Sequence, residues 1–346
     1  MKAYQIKFLN LMPTKYIYTM KTIQLQFLKK FFLIMLTTVL ITSCKEQKEV
    51  KETSKTETIE KAPFFKISLA QWSLHKAILD DKTLDAIDFA QKANEMGFEA
   101  IEYVSQLYTP QIKTMGMEAL LDSLKAKSKK YNVKNLLIMV DGEGELTHKD
   151  KKERDKAIEN HKKWVDAAAF LGCHSIRLNL FGSDDDVAQW KKYAKESLTL
   201  LSNYAKEKNI NIIVENHGGF SSNGALLAEV IQNVNLENCG TLPDFGNFCL
   251  KREGGKRWNA KCIEEYDMYK GIQELMPFAK GVSAKSHDFD KNGNESTIDY
   301  KKMLQIVKDS GFTGFIDVEY EGDKLNEEEG IEATKALLIK VGKELN

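Results

Sequence analysis

Eight short apolar segments alternate with helix-like segments from Phe64 to the C-terminus, and this alternation constrains the fold more than any other feature. The strand-like segments are Lys66–Ala70, Ala100–Tyr103, Val133–Val140, Ser175–Leu180, Ile210–Glu215, Gly240–Pro243, Gly281–Lys285 and Gly314–Glu319. Between them, apolar residues recur at spacings of three and four, as in Leu84–Met96, Lys152–Leu171 and Val187–Lys206, which is the period of an amphipathic helix. Eight such units in about 280 residues predict an α/β fold, the (β/α)8 TIM barrel.

A short glycine motif recurs where predicted helices meet predicted strands. It reads Met96-Gly97-Phe98, Leu171-Gly172-Cys173 and Ser310-Gly311-Phe312. Glycine can take the left-handed conformation that ends a helix, so the three copies indicate one structural unit repeated along the chain. Such repetition favours a barrel over a doubly wound open sheet, which is the alternative. No G-x-G-x-x-G motif follows a strand, which disfavours a dinucleotide-binding version of that sheet.

The N-terminal sixty residues have a different composition from the rest. Lys29 and Lys30 precede an apolar run, Phe31–Thr42, that ends just before Cys44. This pattern predicts a secretory signal over residues 1–43, with Met20 as an alternative start, and it resembles a bacterial lipobox with Cys44 as the lipidated residue. The alternatives are a short uncleaved anchor and a chance hydrophobic run. We therefore expect export and attachment to the bacterial envelope, in the periplasm or at the cell surface, through the lipid anchor only.

A polar segment separates this signal from the predicted barrel. Residues 45–61 consist largely of Lys, Glu, Thr and Ser, and such a composition buries too little apolar surface to offset the entropy of ordering. We expect a disordered tether over residues 44–63, with a surface helix as the alternative. The TIM barrel then occupies residues 64–346.

Charge and cysteine content exclude several classes of protein. Fifty acidic and fifty basic residues give a formal net charge of zero, and without a basic stripe no nucleic-acid partner is expected. Beyond Cys44 the cysteines are Cys173, Cys239, Cys249 and Cys262. No C-x-x-C pair occurs among them, which argues against a zinc ribbon or a thioredoxin-type site. Their pairing and the oligomeric state, with a homo-oligomer as one option, stay open.

Polar side chains end the predicted strands, and in a TIM barrel the active site lies at the C-terminal ends of the strands. These residues are Gln71, Trp72, Glu102, Tyr103, Asp141, Arg177, Asn179, Glu215, Asn216, His217, Asp244, Asn247, Ser283, Lys285, His287, Asp317 and Glu319. Carboxylates that converge in one barrel mouth repel each other unless a divalent cation or a shared proton neutralises them. The sequence therefore predicts an acidic site at the mouth.

The two-residue period of a strand sorts these side chains by face. Ser283, Lys285 and His287 share one face, as do Asp317 and Glu319. Each residue also has a purely structural interpretation. His217 can be a hydrogen-bonded structural histidine, Lys285 can form a buried salt bridge with Glu319, Arg177 can stabilise neighbouring carboxylates, and Trp72 can be core rather than a sugar platform.

Four short motifs carry a resemblance to a known family. They are Val214-Glu215-Asn216-His217, Pro243-Asp244-Phe245-Gly246-Asn247, Ala284-Lys285-Ser286-His287-Asp288 and Asp317-Val318-Glu319-Tyr320. From Phe64 onward the chain resembles the sugar phosphate isomerase/epimerase-like barrels, which are related to xylose isomerase and the ketose 3-epimerases. The motifs occur in the family's order over the whole predicted barrel.

The resemblance implies a metal site held by two glutamates, an aspartate and a histidine. The carboxylates correspond to Glu215, Asp244 and Glu319, and the metal is Mn²⁺ or Mg²⁺, with Zn²⁺ as an alternative. The family's histidine position holds Ser283 here, so His287 is the nearest candidate for the fourth ligand. A substrate-binding histidine of the family is replaced by Asn247.

The resemblance also implies the chemistry, which is proton transfer next to the carbonyl of an unphosphorylated sugar or keto-sugar through an enediolate. Glu215 and Glu319 are then the two proton-transferring groups, and Lys285 and His217 donate hydrogen bonds to the developing oxyanion. The expected substrate-binding residues are His217, Asn247, Arg177, Glu102 and Trp72.

Two other functions stay open at the level of the sequence. One is a keto-glycoside lyase or hydrolase that acts by β-elimination at the same site, and the other is a non-catalytic carbohydrate-binding barrel on the envelope. Metal-dependent endonucleases for abasic DNA share the fold. The neutral charge of the chain argues against DNA binding. Its six histidines are too few for the trinuclear zinc cluster of those endonucleases.

Overall fold

The computed structural model describes residues 62–182 and 186–346, and in it the eight predicted strands form one parallel sheet. The sheet strands are β1 (Lys66–Ala70), β2 (Ala100–Val104), β3 (Lys134–Met139), β4 (Ser175–Leu178), β5 (Asn211–Glu215), β6 (Cys239–Leu242), β9 (Val282–Ser286) and β10 (Phe315–Tyr320). Their order is β6-β5-β4-β3-β2-β1-β10-β9. Each predicted strand is present, and every boundary agrees within one or two residues.

The sheet closes into a barrel between β6 and β9. The backbone N–H of Ser283 donates to the carbonyl of Pro243 (2.9 Å), and the N–H of Phe245 donates to the carbonyl of Ser283 (3.1 Å). Parallel bridges join Thr241 to Ala279 and Asp244 to Ser283. These contacts join β6 to β9, the two strands at the ends of the sheet order, so the sheet has no open edge there. The prediction of a (β/α)8 barrel is confirmed.

Helices connect successive strands and cover the outside of the barrel. They are α1 (His75–Leu79), α2 (Phe89–Glu95), α3 (Thr109–Met115), α4 (Met117–Lys130), α5 (Lys151–Leu171), α6 (Val187–Lys206), α7 (Gly224–Val234), α8 (Met268–Leu275), α9 (Tyr300–Asp309) and α10 (Glu327–Leu345). Local sequence sets their ends. The side chain of Asp150 caps the first turn of α5, and Gly172 ends that helix with φ of +76°.

The two ends of the described barrel unit meet at the face opposite the C-terminal ends of the strands. Phe65, just before β1, is buried, and Gly342 in the last helix lies against it. The side-chain amide of Asn346 donates to the carbonyl of Ala62 at 2.7 Å. The chain therefore enters and leaves the barrel on the same side.

An antiparallel hairpin between β6 and α8 was not predicted from the sequence. It consists of β7 (Cys249–Arg252) and β8 (Cys262–Glu265), and a disulfide joins Cys249 to Cys262. Both strands are four residues long and contain no buried residue, so they lack the apolar alternation that marks the barrel strands. The other two cysteines beyond Cys44, Cys173 and Cys239, are free and buried.

The predicted signal, Cys44 and most of the predicted tether lie outside the described residues. Within the described ranges, no helix combines the length and the apolar character needed to cross a membrane.

Candidate active site and metal centre

Three carboxylates from three different strand ends converge at the mouth of the barrel. Glu215 is the last residue of β5, Asp244 follows β6 and Glu319 lies on β10. One oxygen from each lies within 4.8 Å of the others, and all three residues are buried. Parallel strands place their C-terminal ends at one rim, which is why residues so distant in sequence meet here.

Burial makes the charged forms of these carboxylates costly. It raises the pKa of Glu215 to about 8, where the neighbouring charges of Asp244 and Glu319 add to the rise and Arg177 opposes it. It also raises the pKa of Asp244 to about 7, with Lys285 opposing and Glu319 adding. A site of this kind holds an excess of negative charge that a bound cation would neutralise.

The Lys285 ammonium lies among the same carboxylates. Its Nζ is 3.3 Å from Glu319 Oε1, 3.6 Å from Asp244 Oδ2 and 2.9 Å from Glu321 Oε1. Although burial acts to lower the pKa of Lys285, the surrounding carboxylates hold that pKa well above its usual value. Lys285 is therefore a permanent cation at the centre of the site.

Glu321 is a member of the site that the sequence reasoning missed. Burial alone would raise its pKa, but the charge of Lys285 and the hydrogen bond from it lower the pKa of Glu321 to about 2. Glu321 lies two residues after Glu319 but one residue beyond the end of β10 at Tyr320, where the two-residue period of a strand is no longer a guide.

Glu215 is held in place by one ion pair and one hydrogen bond. Arg177 Nε lies 2.7 Å from Glu215 Oε2, and the side-chain amide of Asn247 donates to Glu215 Oε1 at 2.8 Å. Arg177 also contacts Asp141 through Nη1 at 3.0 Å, and Asn179 donates to the same oxygen at 2.7 Å. Two predicted substrate-binding residues, Arg177 and Asn247, thus contact the predicted proton-transferring glutamate directly.

Asp244 is fixed mainly by backbone donors. The N–H groups of Gly246 and Asn247 donate to its Oδ1 at 2.7 and 2.8 Å. The side chain of Asn216 bonds the backbone of Asp244 in both directions, at 2.8 and 2.9 Å, and so ties the end of β5 to the end of β6. The remaining oxygen, Oδ2, is free to face the site.

His217 lies at the outer side of Glu215. Its Nε2 is 3.8 Å from Glu215 Oε1, and its ring packs against Phe181 and Trp258 with centroids 5.7 and 4.9 Å away. Burial, together with the charges of Arg177 and Lys285, lowers the pKa of His217 to about 3. Its imidazole is neutral near pH 7.

The structure does not bring His287 into the carboxylate group. Strand β9 ends at Ser286, so His287 lies in the loop that follows, where strand alternation does not fix the direction of its side chain. The backbone N–H of His287 donates to Glu295 Oε1 at 3.3 Å. Ser283 occupies the position that the resemblance assigned to a histidine, and its Oγ donates to Glu319 Oε2 at 2.8 Å. Among the described residues, the candidate metal ligands that cluster here are Glu215, Asp244 and Glu319.

Glu102 and Trp72 take positions apart from the three carboxylates. Ser68 Oγ donates to Glu102 Oε1 at 2.8 Å, and burial raises the pKa of Glu102 to about 7 while Ser68 and Asp317 oppose the rise. Glu102 thus belongs to a buried polar layer with Ser68 and Asp317. Trp72 is half-buried and stacks on His75 with ring centroids 4.5 Å apart.

The carboxylate group fits a divalent cation. Asp244 Oδ2 is fully buried and has no hydrogen-bond partner among the described residues, with Lys285 Nζ as far as 3.6 Å away. A buried carboxylate oxygen without a donor, next to two further carboxylates, is the oxygen-rich environment that hard cations select. Glu215, Asp244 and Glu319 are a candidate divalent metal site.

Comparison with known proteins agrees with this geometry. The family model described as "Xylose isomerase-like TIM barrel" matches residues 90–341. The chain belongs to this family. No curated protein matches the chain.

Several solved structures share the fold of this family member at low sequence identity. The IOLI protein with a bound zinc atom is 17% identical, with a TM-score of 0.62 over 82% of this chain and 99% of that one. D-allulose 3-epimerase from Methylomonas sp. is 15% identical, with a TM-score of 0.62 over 81% and 99%. The 3-keto-D-glucoside 4-epimerase from E. coli is 15% identical, with a TM-score of 0.59 over 79% and 98%.

Proposed function

We propose that this barrel is a metal-dependent isomerase or epimerase acting on an unphosphorylated sugar or keto-sugar by proton transfer next to a carbonyl. The observation that supports it most is the convergence of Glu215, Asp244 and Glu319 within 4.8 Å in the barrel mouth. Two of these residues are glutamates, whose carboxylates can accept and return a proton. The third, Asp244, has a fully buried oxygen that suits a cation. The structural similarity to two sugar epimerases supports the same reaction class.

The proposal assigns proton transfer to the two glutamates. Glu215, with a pKa raised to about 8, can accept a proton from carbon near neutral pH, because a base works best when its pKa lies near the working pH. Arg177 and Asn247 hold its oxygens in place. Glu319 is positioned by Ser283 and Lys285 and exchanges the proton on the other side of the reacting carbon.

The cationic and neutral hydrogen-bond donors of the site would stabilise the negative charge that develops on the substrate. Loss of a proton beside a carbonyl leaves an enediolate oxygen, and the Lys285 ammonium can donate a hydrogen bond to it. Neutral His217, beside Glu215, can donate a second one. A divalent metal held by Glu215, Asp244 and Glu319 would polarise the carbonyl.

The sugar is proposed to be unphosphorylated because the predicted signal places the protein outside the cytoplasm, where phosphorylated sugars are made. Export and lipid attachment at Cys44 are part of this proposal. They are tested by labelling cells with a fatty-acid analogue and comparing the chain with its Cys44→Ala variant.

The proposed reaction is tested by deuterium incorporation. The full chain, loaded with Mn²⁺, is incubated in D₂O with D-fructose, D-tagatose and 3-keto-glucosides, and NMR follows exchange at the carbon next to the carbonyl. Glu215→Gln and Glu319→Gln should each reduce exchange by at least about 10³-fold, because each removes a proton-transferring group. Glu229→Gln, an exposed carboxylate paired with Lys191 on the outer helices, is the matched control and should leave exchange unchanged.

The outcomes separate the competing functions. Exchange without net breakdown supports the isomerase or epimerase. Release of the aglycone from a keto-glycoside supports β-elimination at the same site, which is the second candidate. Sugar binding without exchange in any substrate contradicts both enzymes and leaves a carbohydrate-binding barrel.

A further inference from the structure

The tip of the β7–β8 hairpin reaches the loops that follow other strands of the barrel. The ring of Trp258 lies 5.3 Å from Phe181, which follows β4, and 4.9 Å from His217, which follows β5. The guanidinium of Arg257 lies 4.6 Å from the Phe181 ring and forms an ion pair with Glu145 in the loop after β3. The hairpin thus contacts the rim next to Glu215.

Phe181, His217 and Trp258 form an aromatic wall that leads outward from the carboxylates. His217 Nε2 lies 3.8 Å from Glu215 Oε1, and the side chains of Glu215 and His217 are 2% and 21% exposed. Trp258 is 42% exposed. Exposure therefore rises along the wall, which runs from a proton-transferring group to solvent.

We propose that this aromatic wall is a subsite for a second ring joined to the reacting sugar, so that the preferred substrate is a glycoside rather than a free monosaccharide. The proposal rests on the proposed function. The reacting ring has to reach the buried carboxylates, and His217 stands between those carboxylates and Trp258. A group in contact with Trp258 therefore lies one ring further out.

The chemistry of the wall suits a flat ring with an apolar face. Sugar rings present C–H faces and aromatic aglycones present π faces, and both pack against indole and phenyl rings. A large exposed aromatic residue on a polar hairpin gains little for folding, whereas ligand sites combine aromatic surfaces with a few oriented polar groups. Here Arg257 and Glu145 supply polar groups at the edge of the wall.

The disulfide explains how such an exposed hairpin keeps its tip in place. Cys249 and Cys262 close a loop that carries Arg257 and Trp258. Cross-linking reduces the conformations open to the loop, so less entropy is lost when a ligand contacts the tip. The hairpin is thereby pre-organised against the rim.

The test compares two ligands that differ only in the outer group, phenyl β-D-glucoside and methyl β-D-glucoside. Calorimetry with the full chain should give a Kd for the phenyl ligand about five- to tenfold below that for the methyl ligand, the difference that one aromatic contact contributes. Trp258→Ala should abolish this difference, and Trp258→Phe should retain most of it. Ile263→Ala removes another large exposed apolar side chain from the same hairpin and should change neither Kd.

Cellobiose in place of the phenyl ligand shows whether a sugar ring uses the wall as well as an aromatic aglycone does. Equal Kd values for the phenyl and methyl glucosides in the wild-type protein would overturn the subsite. So would a loss in Trp258→Ala that is equal for both ligands. Because calorimetry needs no turnover, these results are readable even if the protein shows no deuterium exchange. Exchange without ring discrimination would overturn the subsite alone.

Discussion

At the scale of single residues, the position of Lys285 decides how the site tolerates its charge. Its ammonium is 2% exposed and contacts three carboxylates, those of Asp244, Glu319 and Glu321. Removal of one partner from a buried ion pair leaves uncompensated charge, which is strongly destabilising. The structural role of this residue and the catalytic role proposed for it are therefore coupled.

Substitution Lys285→Met should lower the free energy of unfolding by about 3 kcal/mol, the usual cost of breaking a buried ion pair. Urea denaturation followed by circular dichroism measures it. Saturating Mn²⁺ should restore part of the loss, because a divalent cation can neutralise the same carboxylates. Lys191→Met, which removes an exposed partner of Glu229, should cost less than about 1 kcal/mol. Equal losses in the two variants would contradict the central position assigned to Lys285.

The raised pKa values of Glu215 and Asp244, about 8 and about 7, predict that protons compete with the metal. A ligand carboxyl must lose its proton to bind a cation. Both groups are largely protonated at pH 6 in the metal-free protein, and both lose protons as the pH rises to 8. Mn²⁺ should therefore bind at least about tenfold more tightly at pH 8 than at pH 6. A pH-independent Kd in calorimetry would show that these carboxylates are not the ligands.

At the scale of secondary-structure elements, the predictable features were those with a period. Glu215 and Glu319 were predicted from their positions at strand ends and from the family resemblance, and alternation along a strand indicated which neighbours share a face with them. That rule does not extend beyond a strand end. His287 follows β9, which ends at Ser286, and Glu321 follows β10, which ends at Tyr320. Of these two residues, Glu321 contacts Lys285, whereas His287 does not join the candidate metal ligands.

The β7–β8 hairpin is a second feature that could not be predicted from the sequence. Its strands, Cys249–Arg252 and Cys262–Glu265, are short and contain no buried residue, so no apolar pattern marks them. The pairing of Cys249 with Cys262 depends on their distance in space, and spacing along the chain does not determine it. The contacts of Trp258 with Phe181 and His217 depend in turn on that hairpin.

The disulfide should act locally rather than on the whole barrel. Replacement of Cys249 and Cys262 together by Ser is expected to increase hydrogen exchange in residues 249–265, because the hairpin strands are held mainly by their own pairing and the cross-link. The barrel's Tm should fall by no more than about 4 °C. Hydrogen exchange with mass spectrometry and calorimetry measure the two effects. A collapse of the barrel itself in this double variant would contradict a local role.

At the scale of the whole molecule, the fold followed from the sequence because eight units repeat one local pattern. Gly97, Gly172 and Gly311, in the recurring junction motif, have φ of +70°, +76° and +79°, as the motif predicted. Closure of the barrel was harder to predict from the sequence, because it depends on bridges from β6 to β9, which are separated along the chain by a hairpin and a helix. One consequence is that Asp244 lies at the closing bridge, so the seam of the sheet and the candidate metal site share a residue.

Ala62 and Asn346, at the two ends of the described barrel unit, are joined by a hydrogen bond. The carboxylates lie at the C-terminal ends of the strands, and the chain enters at their N-terminal ends. Ala62 and Asn346 therefore lie on the face opposite the candidate site. Changes made at either of these two residues should leave access to the barrel mouth unaltered.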